Sequence, residues 1–251
     1  MRVAVAGGTG WVGRLTVDAL RGAGHEVRVV ARSTGVDLTT GAGLDGALDG
    51  VGAVIDATNV VTTGRAKSVA FFETTTANLL RAEEHAGVKH HVVLSIVGCD
   101  TVDLGYYYGK RAQERAVAAG GVPWTVLRAT QFHEFAAQML ERGGPVVIAP
   151  RMLSRPVAGA DVARVLVRLA LAEPLRGIHE LAGPEDLQMV DMVRGLARAR
   201  GLRRPVLPIR LPGAVGRAVA GGALLPSGPV EEGGETYDTW LTRTSEPHHA
   251  E

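Results

Sequence analysis

The chain has 251 residues, 46% of them apolar and 21% charged, with a net charge of +1. That length and apolar content support one packed α/β unit with an appended region, and the near-neutral balance gives no reason to expect nucleic acid or an acidic partner. The one cysteine, Cys99, excludes an intrachain disulfide and fits a reducing, cytoplasmic setting; no apolar run reaches the ~18 residues of a membrane span, and no signal-peptide pattern is expected at the N-terminus.

Val3–Ala6 reads as a short buried strand, and Val12, Leu15, Val17, Leu20 and Ala23 recur at helical spacing from Trp11 onward. Strand predictions follow at 26–31, 36–38, 52–57, 91–95 and 123–128, with helices at 44–48, 67–85 and 104–119 between or after them. This alternation predicts a Rossmann-type, doubly wound parallel sheet with right-handed crossovers. Beyond Arg128 the pattern loosens. Helices are expected at 132–141, 159–172 (entered through Asp161) and 186–200 (with Asp186 as its cap), and strands at 145–148 and 178–182. The Pro/Gly-rich stretch 205–234 is the least regular, and its 211–225 portion could form an apolar helix covering a pocket. The expected division is a nucleotide-binding core, 1–130, and a smaller C-terminal substrate lobe, 131–251, packed on it rather than standing free.

Between the first strand and first helix stands Gly7-Gly8-Thr9-Gly10-Trp11-Val12-Gly13. A strand, a glycine turn and a helix N-terminus form an anion site, because the free N–H groups and the helix dipole both favour negative charge. Gly7 suits the tight turn, Gly10 the close approach of a pyrophosphate, and Gly13 the packing of helix on strand. NAD sites usually carry an acid about 20 residues after such glycines, at the tip of the second strand. Here that tip reads Val29-Val30-Ala31-Arg32-Ser33-Thr34. Arg32 with hydroxyls beside it suits a 2′-phosphate, so NADP(H) is expected ahead of NAD(H), although Arg32 could also be an ordinary surface arginine. Asp37 could reach the adenine or serve as a turn residue.

Three of the four tyrosines and one of three lysines fall in Tyr106-Tyr107-Tyr108-Gly109-Lys110. Tyr106 and Lys110 share a helix face. A neighbouring ammonium favours the phenolate, which would make Tyr106 an acid for a substrate carbonyl near neutral pH. His85, His90, His91 and Cys99 match no metal-ligand spacing, and no metal is expected. His133 and Glu134 could orient substrate or lie on a helix surface. Asp56 reads as a hydrogen-bonded structural acid, Cys99 as a loop or core thiol, and His248 and His249 as part of a mobile tail.

The segments GGTGWVG, VVARS, AVIDATN, HVVLSIVG, GYYYGK, PWTVLRATQFHEF, PVAGADVA and HELAGPE together resemble the NmrA-like, NAD(P)-binding branch of the atypical short-chain dehydrogenase/reductases. The resemblance covers most of the chain. It implies that Gly7, Thr9, Gly10, Trp11 and Val12 surround the pyrophosphate and that Arg32 and Ser33 meet the 2′-phosphate. By the same resemblance Ala57, Thr58 and Asn59 line the cofactor, Tyr106 and Lys110 form the active pair, and Ala129, Thr130, Gln131 and Phe132 border the nicotinamide and substrate. Lys110 would also hold the nicotinamide ribose. Mainstream members carry a catalytic Ser or Thr just past the strand at 91–95. Ser95, kept with the cofactor-side candidates, falls about two residues earlier than that position, and a structural role is the alternative. The implied function is an NADP(H)-dependent reductase of a small carbonyl or quinone compound, or else an NADP(H)-binding sensor without turnover, in either case a monomer or homodimer.

Overall fold

The computed structural model describes residues 1–245; His248 and His249 lie outside the described residues. The first half of the chain runs β1 (Arg2–Ala6), α1 (Trp11–Gly22), β2 (Glu26–Val30), α2 (Leu44–Leu48), β3 (Ala53–Asp56), α3 (Arg65–Ala86), β4 (His90–Ile96), α4 (Gly105–Ala119) and β5 (Trp124–Ala129). The second half continues α5 (Glu134–Arg142), β6 (Val147–Pro150), β7 (Leu153–Ser154), α6 (Gly159–Leu171), β8 (Ile178–Ala182), β9 (Leu187–Gln188), α7 (Met189–Ala199), β10 (Val206–Ile209), α8 (Gly213–Ala220), β11 (Glu231–Glu232) and α9 (Tyr237–Ser245).

Seven parallel strands form the central sheet in the order β2-β1-β3-β4-β5-β8-β11. β1 is apolar from Val3 to Ala6 because both its faces are covered there. Val3 and Val5 pack with Leu20 of α1 and with Val162, Val165 and Leu166 of α6. Ala4 and Ala6 face Leu44, Leu48 and Leu79 of α2 and α3. The chain steps from β1 outward to β2, then returns to place β3 on the other side of β1. The turn after β1 therefore opens at the sheet's topological switch point, where doubly wound sheets bind ligands. A separate core under α5, α7, α8 and α9 gathers Leu140, Met189, Met192, Leu196 and Trp240, and reaches Tyr107 of α4.

Three sequence expectations are corrected. The 36–38 segment is no strand: Asp37 makes only an isolated bridge to Ala42 inside a loop, since three residues bounded by Gly35 and Gly41 turn back before they can join the sheet. Asp186 does not cap α7, which starts at Met189 behind Gln188; Asp186 pairs with Arg155 at 2.9 Å instead. The apolar stretch 211–225 is helical only over Gly213–Ala220. The periodicity also left out β7, β9, β10, β11 and α9, most of which are too short to show a period.

The packing at the first turn is tight. A Cβ on Gly13 would lie 2.1 Å from the Gly7 carbonyl oxygen, whereas a Cβ on Gly22 of the same helix would meet nothing within 4 Å. Gly13→Ala should therefore lose about 1–3 kcal/mol by overpacking, and Gly22→Ala should be neutral or slightly stabilising. Urea denaturation of the two variants checks this; an unchanged midpoint for Gly13→Ala would contradict the packing argument.

Candidate active site

The Gly7 N–H donates to Val30 O at 3.0 Å, tying the turn to the end of β2. Gly7 has φ +73°, and a Cβ there would stand 2.8 Å from Ala57 O at the end of β3. Only glycine meets both conditions. Gly10 N–H donates to Gly7 O at 2.8 Å and Gly10 precedes α1 without any side-chain cap. No side chain thus competes for the first-turn N–H groups, and Thr9 and Gly10 are exposed above them. Trp11 packs its ring against Gly159, where a Cβ would fall 1.9 Å from the indole, and lies 5.6 Å from the Phe132 ring. Val12 is half-buried in the same first turn, and its carbonyl accepts the Thr16 hydroxyl at 2.9 Å.

Beyond β2 the chain makes a single 3-10 turn over Arg32–Thr34. The Thr34 hydroxyl donates to Ala31 O at 2.8 Å and to Val29 O at 2.9 Å, which fixes the turn. Arg32 and Ser33 are left exposed beside the glycine turn. Asp37 does not end a strand; its Oδ1 accepts the Thr39 N–H at 2.8 Å and the Thr39 hydroxyl at 2.7 Å. These bonds hold its carboxyl below the usual range, and the turn-residue reading, not the adenine contact, is the one this geometry supports.

At the end of β3, Asp56 is buried. Its Oδ1 accepts the Thr58 N–H at 2.9 Å and its Oδ2 the Gln113 amide at 2.8 Å, the structural role expected of it. The Thr58 hydroxyl is buried without a hydrogen-bond partner. Asn59 Oδ1 accepts the Tyr106 phenol at 2.6 Å, which joins the α4 candidate to the β3 loop. The Tyr106 ring stands edge-on to Phe72.

The expected coupling of Tyr106 to Lys110 is corrected. Lys110 is buried and turns inward, where its Nζ donates to Leu94 O at 2.6 Å and to Gln113 Oε1, 4.6 Å from the Phe72 ring centroid. Burial pushes Lys110 down to about 8. The Tyr106 phenol is pushed up, first by burial and then by Tyr107, Asp56 and Cys99. It is therefore a neutral hydrogen-bond donor rather than a readily ionised acid. Of the two readings of Ser95, cofactor-side or structural, its position fits the structural one. Its hydroxyl donates to Glu114 Oε1 at 2.5 Å, and Glu114 takes Arg128 in a bidentate pair at 3.0 and 2.7 Å. Ser95 faces this buried network on the α4 side of the sheet and not a cofactor. Cys99 sits in the same network, its thiol pushed up to about 11 by burial and by Glu114, which fits the core reading. Gln113, which links Lys110 to Asp56, went unnoticed in the sequence although it lies three residues beyond Lys110 on the same helix.

The segment after β5 closes the site's far wall. Ala129 is buried and its carbonyl accepts the Val97 N–H at 3.0 Å. The Thr130 hydroxyl donates to Arg155 O at 2.5 Å, which ties two loops together. Gln131 Oε1 accepts the Ser154 hydroxyl at 2.7 Å. His133 is neither a substrate group nor on a helix surface. It is fully buried, with Nε2 2.9 Å from Pro156 O and its ring edge-on to Tyr237 and Trp240. His85 is exposed, His90 meets the Thr125 hydroxyl at 2.9 Å, and His91 pairs with Glu83 at 2.8 Å, so these residues serve separate places in the fold.

Glu134 accepts Trp240 Nε1–H at 3.1 Å, while its Oε2 is buried without a partner. Burial pushes its carboxyl up to about 7. A raised folded-state value contributes stability that is full below the ordinary value of 4.5 and lost as pH rises through about 7. Glu134→Gln should thus gain Tm relative to the parent chain between about pH 5 and about pH 8. Thermal melts at both pH values check this; a Tm difference that does not change with pH would contradict it.

The residues around the turn fit a dinucleotide: the glycine cradle is open, the Thr58 hydroxyl is buried and orphaned, and the Arg32 guanidinium has no ion pair among the described residues. Comparison with known proteins agrees. The family described as NAD(P)H-binding matches residues 7–173. A (4-alkanoyl-5-oxo-2,5-dihydrofuran-3-yl)methyl phosphate reductase from Streptomyces griseus subsp. griseus is 32% identical over 220 residues, covering 79% of this chain and 74% of that one. Among solved structures, an NADPH-dependent quinone oxidoreductase from Escherichia coli complexed with NADPH superposes with a TM-score of 0.73 at 20% identity, over 96% of this chain and 99% of that one. A short-chain dehydrogenase/reductase superfamily protein from Agrobacterium tumefaciens with bound NAD gives 0.71 at 20% identity, over 98% and 96%. The chain therefore belongs to the NAD(P)H-binding family and carries the Rossmann-type fold of the short-chain dehydrogenase/reductases.

Proposed function

We propose that this chain is an NADP(H)-dependent oxidoreductase acting on a small carbonyl or quinone compound. The observation that carries the reading is the Tyr106 phenol, held at 2.6 Å by Asn59, two residues past the Ala57 carbonyl that abuts Gly7. The reductase relative and the quinone oxidoreductase neighbour support the same class. Gly7, Thr9, Gly10, Trp11 and Val12 would hold the pyrophosphate, and Arg32 and Ser33 the 2′-phosphate. When bound, a reduced nicotinamide supplies a hydride for an electrophilic carbon. As an arriving hydride builds negative charge on the substrate oxygen, Tyr106 would turn its O–H from Asn59 to that oxygen and give up the proton there, and a proton from solvent would restore the phenol. Its neutral state suits donation, and Asn59 would keep the phenol poised between turnovers. Lys110 would act as a positioning residue, fixing α4 over β4 through Leu94 O and Gln113. The parts of the chain after residue 131 that lie outside the central sheet would form the substrate lobe.

A second reading, an NADP(H)-binding sensor without turnover, is favoured by one observation: Ser95 and Lys110 both face inward, away from any reacting group. NADPH consumption against a panel of quinones and aldehydes separates the two. Saturable binding with no consumption on any substrate would favour the sensor.

Three tests follow from the site. Arg32→Ala should weaken NADPH by ~10- to 150-fold and leave NADH nearly unchanged, since a charge-assisted hydrogen bond is worth ~1.5–3 kcal/mol. Equal loss for both cofactors in a fluorescence titration would remove Arg32 as the discriminator. Tyr106→Phe keeps the ring and should lower turnover by roughly 10²–10⁴ without changing NADPH affinity. Lys110→Met strands Gln113 and Leu94 O and should lose about 1–3 kcal/mol of stability. Full turnover by Tyr106→Phe on a confirmed substrate would place the proton donor elsewhere.

A further inference from the structure

The C-terminal lobe holds a cavity of about 670 Å³ on which four arginines converge: Arg151, Arg194, Arg210 and Arg217. Its floor is β10. The Arg151 N–H donates to Ile209 O at 2.8 Å, which sets Arg151 beside Arg210, the next residue along. Arg194 reaches from α7 to Val206 O at 3.3 Å. Arg217 comes from α8, whose Gly216 and Ala220 also line the cavity.

One carboxylate, Asp191, lines the cavity, and Arg194 takes it at 3.3 Å. The Arg151, Arg210 and Arg217 guanidiniums have no side-chain hydrogen bond or ion pair among the described residues. Guanidiniums remain charged at any ordinary pH. Arg151, Arg210 and Arg217 are exposed, so water screens their mutual repulsion, but four guanidiniums against one acid leave the cleft with a net positive charge suited to an anion. Their planar forks match phosphate oxygens bidentately, and the cavity falls in the ~300–1,000 Å³ range of small-molecule pockets. We propose that this cleft binds the phosphate group of a small phosphorylated molecule. The site is separate from the glycine turn, and its occupancy does not depend on whether the chain transfers hydride.

Isothermal titration with phenyl phosphate at low salt, on protein saturated with NADPH, tests the assignment; phenol is the uncharged control and inorganic phosphate the second probe. Phenyl phosphate should bind saturably and phenol should not. An Arg210→Ala, Arg217→Ala double variant should weaken phenyl phosphate by at least roughly tenfold, the scale of one lost charge-assisted bond. An Arg198→Ala, Arg203→Ala double variant, altering exposed arginines outside the cleft, should keep the parent affinity. All variants should retain NADPH affinity, which shows that they are folded and that the loss is confined to the lobe. Tighter binding of phenyl phosphate than of inorganic phosphate assigns the cleft to an organic ester; equal binding with the same arginine dependence assigns it to the phosphate group alone. No saturable binding of either probe, or equal loss in the control variant, would overturn the proposal. Loss of NADPH binding by the parent protein would instead count against the cofactor reading and leave the phosphate titration to be read on its own.

Discussion

The structure turns on a backbone contact at Gly7. β1 ends there, α1 begins just beyond it, and β3 arrives alongside, so three elements meet without a side chain between them. Any Cβ at Gly7 or Gly13 would overlap the Ala57 or Gly7 carbonyl. The close approach places the uncapped start of α1 at the switch point between β1 and β3, where its N–H groups and dipole face an open edge of the sheet. The other candidates are then arranged around this point by the C-terminal ends of parallel strands: Arg32 after β2, Asn59 after β3, Phe132 after β5.

Behind the site, buried charge is handled by pairing. Asp56, Gln113 and Lys110 form one chain of hydrogen bonds, and Glu114, Arg128 and Ser95 form another. Leaving any of these polar groups unpaired in a water-poor interior would cost more than the pairing contributes. This explains why Lys110 and Ser95 face inward here. Lys110 answers Leu94 O and Gln113; Ser95 answers Glu114. What remains at the surface of the site is a neutral phenol on Asn59, and the chemistry proposed rests on that donor.

Much of this was legible in the sequence because the first half repeats a regular pattern. The glycine turn, the alternation through β5 and the GYYYGK segment each carry a local signal whose physical cause lies within a few residues. Asp37 was misplaced because a short apolar triplet bounded by glycines reads the same whether it joins a sheet or turns back. The partners of Lys110 and Ser95 are hidden from the sequence for a different reason. Helix spacing tells which face a side chain leaves from, but not which of several acceptors it finds. That choice depended on Gln113 and Glu114, whose partners come from other strands. The four-arginine cleft left no sequence signal at all, since Arg151, Arg194, Arg210 and Arg217 lie on separate elements and only the fold of the lobe brings them together.

The proposed function requires that the turn over Gly7–Gly13 hold a dinucleotide with its 2′-phosphate beside Arg32. Titration of the purified chain with NADPH, followed by nicotinamide fluorescence and competed with adenosine 2′,5′-bisphosphate or adenosine 5′-phosphate, measures this directly. The expected result is saturable binding of one NADPH per chain, displaced far more readily by the 2′-phosphorylated fragment. Absence of saturable binding, or equal displacement by the two fragments, would contradict it.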